Sequence, residues 1–267
     1  MDWLRRAHAP LSGRVWKAVD DAVVSAARQA LAARRVADFE GPKGWSYVAE
    51  PLGTVQPVRQ PKDERGASRW IPDAIILTEI RAEFVLPWST IDAFERGGRV
   101  LDTSPAEHAA REVALAEDDL AFYGGPGSVG FLTSPESPRV KFGDWSSPGQ
   151  VVGDLLAGVS RLDAQGIPGP YAVVLDQDHY FAYLRAAAER RISTEADRLE
   201  GLIDGIFRSP VIRGGAVFSL RGGDFLLVAG GDLSVGYRSH DAVNVQLFCA
   251  ETLGAHLLGP TAVCLLQ

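Results

Sequence analysis

Apolar residues at Val15, Val19, Ala22, Val23, Ala26 and Ala30 recur every three to four positions, the spacing of one face of an α-helix. The pattern predicts a helix from Ser12 to Phe39, with Ser12 as N-cap and Arg34 and Arg35 near the end where positive charge suits the helix dipole. After the Gly/Pro turn GPKGWSY comes VQPVRQPKDERGASRW, residues 55–70, polar and proline-bearing. Such a segment buries too little apolar surface to fold alone and reads as an arm that rests on a neighbour. AIILTEIRAEFVL, residues 74–86, predicts a strand pair, alternating at Ile80, Ala82, Phe84 and Leu86, and WSTIDAFERG a short helix ending at glycine.

Residues 104–125 carry the strongest helix signal: Ser104 as N-cap, Pro105 at the first helical position, Glu107 completing a capping box, and an inner stripe of Ala109, Val113, Ala116 and Leu120. Gly124 ends it. That helix also decides how GGPGSVG, residues 124–130, is read. A dinucleotide fingerprint needs its glycines after a strand and opening a helix, so that a pyrophosphate meets free N–H groups. Here they follow a helix, so they read as its C-cap and a turn. Further on, residues 146–166 predict a helix with Ser147 and Gln150 in capping-box register, YAVVL a buried strand, 176–189 a helix and 194–205 another. From Ala216 onward strands joined by glycine turns dominate.

Composition narrows the function classes. Of 267 residues, 46% are hydrophobic and 23% charged, which is a globular mix, and the net charge of −7 argues against a binder that tracks nucleic-acid phosphates. No apolar run approaches the roughly 20 residues of a membrane span, and MDWLRRAHAP has charges with no apolar stretch behind it, so no secretory signal is expected. Cys249 and Cys264 read as buried free thiols, which suits a reducing cytoplasm.

No standard catalytic constellation is present: no zinc-protease helix motif, paired-cysteine motif, phosphate loop or serine elbow. The five histidines lack metal-ligand spacing. DQDHY, residues 176–180, reads as helix capping, and the acidic run AEDD, residues 116–119, as a solvated or intersubunit face. What stands out is a set of projecting parts that call for contact with other copies.

LRRAHAPLSGRVW, LAARRVADFEGPKGWSY, IDAFERG, ALAEDDLAFYG, GIPGPYAVVL and RGGDFLLVAGGDLSVGYRSHDAVNVQLFCAET resemble the encapsulins, the linocin-like shell proteins of bacterial nanocompartments. The resemblance runs from residue 4 to the C-terminus in family order. It implies an α+β fold of the Hong Kong 97 phage major-capsid type, with residues 1–44, 76–125 and 214–267 as peripheral domain, 45–75 as extended loop and 126–213 as axial domain. It further implies a non-catalytic cytoplasmic subunit that self-assembles into an icosahedral cage, expected to have sixty copies. Such a cage encloses a peroxidase or ferritin-like cargo enzyme that bears a C-terminal targeting peptide. Leu31, Arg34, Asp38, Asp232, Leu233 and Val235 match the positions that receive that peptide. Glu189, Arg190 and Arg191, in the loop AAAERRISTEA, are the candidates for lining the five-fold pore.

Two departures from the family pattern stand out. Some encapsulins hold flavin through a tryptophan in the short helix; here Trp88 lies one position early and Ser89 takes the equivalent place, so no cofactor is expected. ETLGAH, residues 251–256, replaces an aromatic strand ending. A phage major capsid protein, or an enzyme of the protease or bacteriocin kind, are the other classes to weigh.

Overall fold

The computed structural model describes residues 2–58, 68–147, 149–189 and 201–267. In chain order the elements are α1 (Gly13–Ala30), β1 (Asp38–Glu40), β2 (Ala49–Pro57), β3 (Trp70–Ile76), β4 (Thr78–Pro87), α2 (Trp88–Glu95), α3 (Ser104–Tyr123), β5 (Arg139–Val140) and α4 (Gln150–Asp163). There follow β6 (Tyr171–Leu175), α5 (Gln177–Glu189), β7 (Ile203–Arg208), β8 (Gly215–Ser219), β9 (Phe225–Ala229), β10 (Ser234–His240), β11 (Asn244–Leu257) and β12 (Val263–Leu266).

Ser12 caps α1 as its sequence predicts, accepting from Val15 N at 3.3 Å, and Val15, Val19, Val23 and Ala26 form the buried face. The helix stops at Ala30 rather than Phe39, and a 3-10 turn over Ala33–Arg35 leads into β1. The cause lies on α3. Asp118 takes the N–H groups of Ala32 and Ala33, at 3.0 and 2.9 Å, that would otherwise continue the helical ladder.

The first sheet runs β1-β9-β11-β10, with β4 also pairing β11. Along β4, Ile80, Ala82, Phe84 and Leu86 turn inward and their neighbours outward, the alternation expected of a half-buried strand. The predicted strand pair is divided: β4 joins β11, whereas β3 pairs with β2 in a hairpin of its own. That hairpin is the predicted arm. Val55, Trp70 and Ile71 stand more than half exposed on it, so it has no core of its own; residues 59–67 at its tip lie outside the described residues.

The second sheet runs β5-β12-β8-β6-β7. It includes β8 and β12, from the stretch assigned above to the peripheral domain. YAVVL is fully buried as β6. Residues 201–205 are turn and strand, not the end of a helix, because β7 pairs in parallel with β6; residues 194–200 lie outside the described residues. Ser147 does not cap α4. Gly149 precedes that helix with φ 86°, and the Gln150 side chain is spent on Asp154. At α3, Thr103 is the flanking residue, its hydroxyl on Glu107 at 3.0 Å, and Ser104 bonds Asp102.

The glycine run behaves as a helix stop. Gly124 closes α3 with φ 79°, and the chain folds back so that Phe131 N and Leu132 N reach the carbonyls of Ala121 and Phe122, each at 2.9 Å. A Cβ on Gly130 would stand 2.3 Å from the Tyr123 carbonyl carbon, so only glycine allows this return.

Two apolar cores result. In one, Val15, Val19 and Val23 of α1 and Val113 of α3 pack on Phe84, Leu86, Val245 and Leu247. In the other, Phe122, Phe131, Phe218 and Phe225 pack with α4, β6 and β12. β11 contributes to both: Val245, Leu247 and Cys249 to the first, Leu253, Ala255 and Leu257 to the second.

Candidate functional site

Arg34 sits where the turn after α1 meets α3, β10 and β11. Its guanidinium holds Glu117 bidentately, with Nε to Oε1 at 2.6 Å and Nη2 to Oε2 at 2.7 Å. It also reaches Glu251 Oε2 at 3.0 Å and Asp232 Oδ1 at 2.9 Å, and stacks over Phe39. The Glu117 and Glu251 side chains are each 1% exposed, against 41% for Asp232. Burial opposes the charge on Arg34, but Glu117 first and then Glu251 and Asp232 outweigh it and hold the guanidinium above its ordinary range.

The AEDD run is therefore not a solvated face. Ala116 is exposed and Glu117 takes its place on the inner stripe, four residues after Val113. Asp118 is fully buried and accepts three bonds, from Ala32 N, Ala33 N and Ser209 Oγ. Desolvation outweighs those donors and raises its carboxyl to about 6. The folded chain thus binds this proton more readily than the unfolded one, so the stability linked to Asp118 declines as pH rises from about 4 to about 6.

Burial also raises Glu251 well above the ordinary carboxylate range; repulsion from Glu117 adds to this and Arg34 partly offsets it. Its Oε1 has no hydrogen-bond partner among the described residues.

The other positions matched to the targeting peptide are spread around this joint. Leu31 and Leu233 are half-buried, Leu233 against the first core, and Val235 is buried within that core. Asp38 is exposed and accepts from Gly223 N at 2.6 Å, at the edge of a cleft of about 200 Å³ lined by Arg35, Ala37, Leu220 and Phe225. Arg34 and Asp232 are joined directly; Asp38, at the start of β1, bonds instead to the β8–β9 turn. Sequence reasoning missed Glu117, Asp118 and Glu251. The signal for the first was available, since Glu117 continues the spacing of Ala109 and Val113.

Elsewhere, Asp176 caps α5 by accepting from His179 N and Nδ1 at 2.9 and 2.8 Å, as expected of DQDHY. Among the described residues no group of three or more His, Cys, Asp or Glu could hold a metal ion, and no helix is long and apolar enough to cross a membrane. Cys249 and Cys264 are buried free thiols, pushed up by burial to about 12 and about 11. Glu189 is the last residue of α5, whereas Arg190 and Arg191 lie outside the described residues.

Residues 1–254 match the family model of the linocin kind, described as "Encapsulating protein for peroxidase". The chain belongs to the encapsulin shell-protein family. It is 32% identical over 254 residues to the type 1 encapsulin shell protein of Rhodococcus erythropolis, covering 94% of each chain. The corresponding protein of Rhodospirillum rubrum is 30% identical over 271 residues, covering 98% of this chain and 95% of that one. Among solved structures, a virus-like particle protein from Pyrococcus furiosus superposes with a TM-score of 0.64 at 14% identity, over 95% of this chain and 99% of the other. The capsid of Myoviridae phage XM1 gives 0.56 at 12% identity, over 85% and 88%. Encapsulin and phage-capsid subunits share this α+β fold, and the family's role is structural, not enzymatic.

Proposed function

We propose that this chain is the shell subunit of a type 1 encapsulin: a closed icosahedral cage of sixty copies in the cytoplasm that encloses a peroxidase or ferritin-like cargo enzyme. The match to the encapsulating-protein family over residues 1–254 carries the reading. The exposed β2–β3 arm supports it, since Val55, Trp70 and Ile71 need another surface to leave water. Negative-stain microscopy of the purified protein tests it: hollow particles of one size are expected, and a dispersed monomer would overturn the reading.

The cargo's C-terminal peptide docks around Leu31, Arg34, Asp38, Asp232, Leu233 and Val235. What supports this is half-buried Leu31 and Leu233 beside the charged joint, with exposed Asp38 on a separate cleft lined by Ala37, Leu220 and Phe225, apolar surface edged by charge at both places. Val235 and Arg34 contribute from beneath, by packing and by holding Asp232. With a fluorescent protein ending in a Gly- and Leu-containing peptide as guest, Leu233→Glu with Asp38→Ala is expected to cut guest loading about tenfold or more, which is about 1.4 kcal/mol. Loading that stays at the wild-type level in intact shells would place docking elsewhere.

Glu189, Arg190 and Arg191 set the charge of the five-fold opening, through which ions and small substrates pass while proteins are retained. Changing all three to alanine is expected to alter the rate at which ferrous ions enter loaded shells, read by stopped-flow absorbance of the guest. An unchanged rate would remove these residues from the pore.

The proposed subunit carries no flavin at the short helix. The Trp88 indole donates to Asp241 O at 2.8 Å and stands edge-on to His240, and Ser89, in the tryptophan's place, offers no flat ring on which an isoalloxazine could stack.

A further inference from the structure

Three carboxylates face one guanidinium at the Arg34 joint, and two of the three are removed from water. The charged groups that meet there come from every element packed on it: Arg34 from the turn after α1, Glu117 and Asp118 from α3, Asp232 from the loop before β10, and Glu251 from β11. The Cys249 thiol, also facing Glu251, adds no charge, since burial keeps it protonated. Glu117 takes two of the guanidinium's donors and Asp232 a third. Glu251 accepts from the second N–H of Nη2 alone, at 3.0 Å, and is left with an Oε1 that nothing partners among the described residues.

A second buried negative charge beside Glu117 is the costliest way to fill that position. Glu117 and Glu251 each place an Oε2 on the same Nη2 of Arg34, at 2.7 and 3.0 Å, so the two carboxyls are neighbours, and a carboxylic acid can donate to a carboxylate where two carboxylates only repel. We propose that Glu251 holds a proton through the neutral range and donates it to Glu117, so that the two glutamates act as positioning residues seating Arg34, and with it residues 31–36, as a proton-dependent latch.

The direction of the effect follows from the charge count. With the proton in place, Arg34 faces Glu117 and the half-exposed Asp232 alone. When alkaline solution removes it, Glu251 repels Glu117 inside the joint, and the strain falls on the turn carrying Arg34, which is held by Asp118 through two N–H bonds, by the guanidinium, and by the packing of Ala32, Ala33 and Val36 in the second core. The latch opens as pH rises, opposite to the usual acid loss of a carboxylate pair. The inference is independent of where cargo docks, because it concerns how the turn is seated and not what touches its outer surface.

Hydrogen exchange of assembled shells tests it, read on the peptide covering residues 31–36 and corrected for the intrinsic pH dependence of exchange. Between about pH 6 and about pH 9 the wild-type protection factor is expected to fall about tenfold, the equivalent of one pKa unit. Glu251→Gln, which fixes the neutral form, should hold it flat. Equal slopes in the two proteins, or no fall in the wild type, would overturn the latch. Infrared difference spectra of wild-type shells with isotope-labelled glutamate need no variant: a protonated glutamate carbonyl band lost over the same pH range supports the proposal, and its absence overturns it.

Discussion

Changing Asp118 to alanine is expected to cost about 4 kcal/mol, because it strands three buried donors at once. The N–H groups of Ala32 and Ala33 and the Ser209 hydroxyl all end on this carboxylate, which is fully buried. Each orphaned donor costs about 1–3 kcal/mol, and Ser209 alone can rotate to find another acceptor. Asp118→Asn retains one acceptor oxygen and should lose about half as much. Denaturant titration followed by tryptophan fluorescence would show the midpoint falling with little change in slope. A wild-type midpoint in the alanine variant would mean that water reaches the two N–H groups. The loss of the Asp118 side chain should also lift the stability decline between about pH 4 and about pH 6 that its raised carboxyl imposes.

The second large effect belongs to Arg34→Met, which removes the cation from Glu117, Glu251 and Asp232 while keeping much of the apolar stem. Breaking a buried ion pair from one side costs about 3–5 kcal/mol, most of it the uncompensated charge left behind. The sign of the pH dependence is testable. Without Arg34 the buried carboxylates of the joint have no cation to balance their charge, so the folded variant binds more protons near neutrality than its unfolded chain, and its stability increases as pH falls. Thermal midpoints of variant and wild type should lie far apart at about pH 7.5 and draw together towards about pH 5.5. A gap that is constant with pH would mean that the cost is lost packing rather than stranded charge.

Much of the architecture is legible in local pattern. The inward row from Ile80 to Leu86, the buried run at Tyr171–Leu175, the cap at Ser12 and the stop at Gly124 each need only neighbours in sequence to be read. What local pattern misreads is decided by residues far along the chain. α1 ends early because of Asp118, 85 residues beyond Ala33. The segment 201–205 becomes turn and strand because β6 is there to pair with it. The acidic run at 116–119 looks solvated until the guanidinium of Arg34 and the partner carboxylate of Glu251, brought from both ends of the chain, convert it into an internal joint. The resemblance to encapsulins gave the fold and the role; it could not give the burial of Glu117 and Glu251, which only the packing of three elements together creates.

β11 runs unbroken for 14 residues and lends side chains to both cores. A subunit laid on such a single beam has no crease between its halves along that line. The curvature of a container assembled from it must then be set at the seams between neighbouring tiles, by the angle at which each meets the next, and not by bending within any one of them.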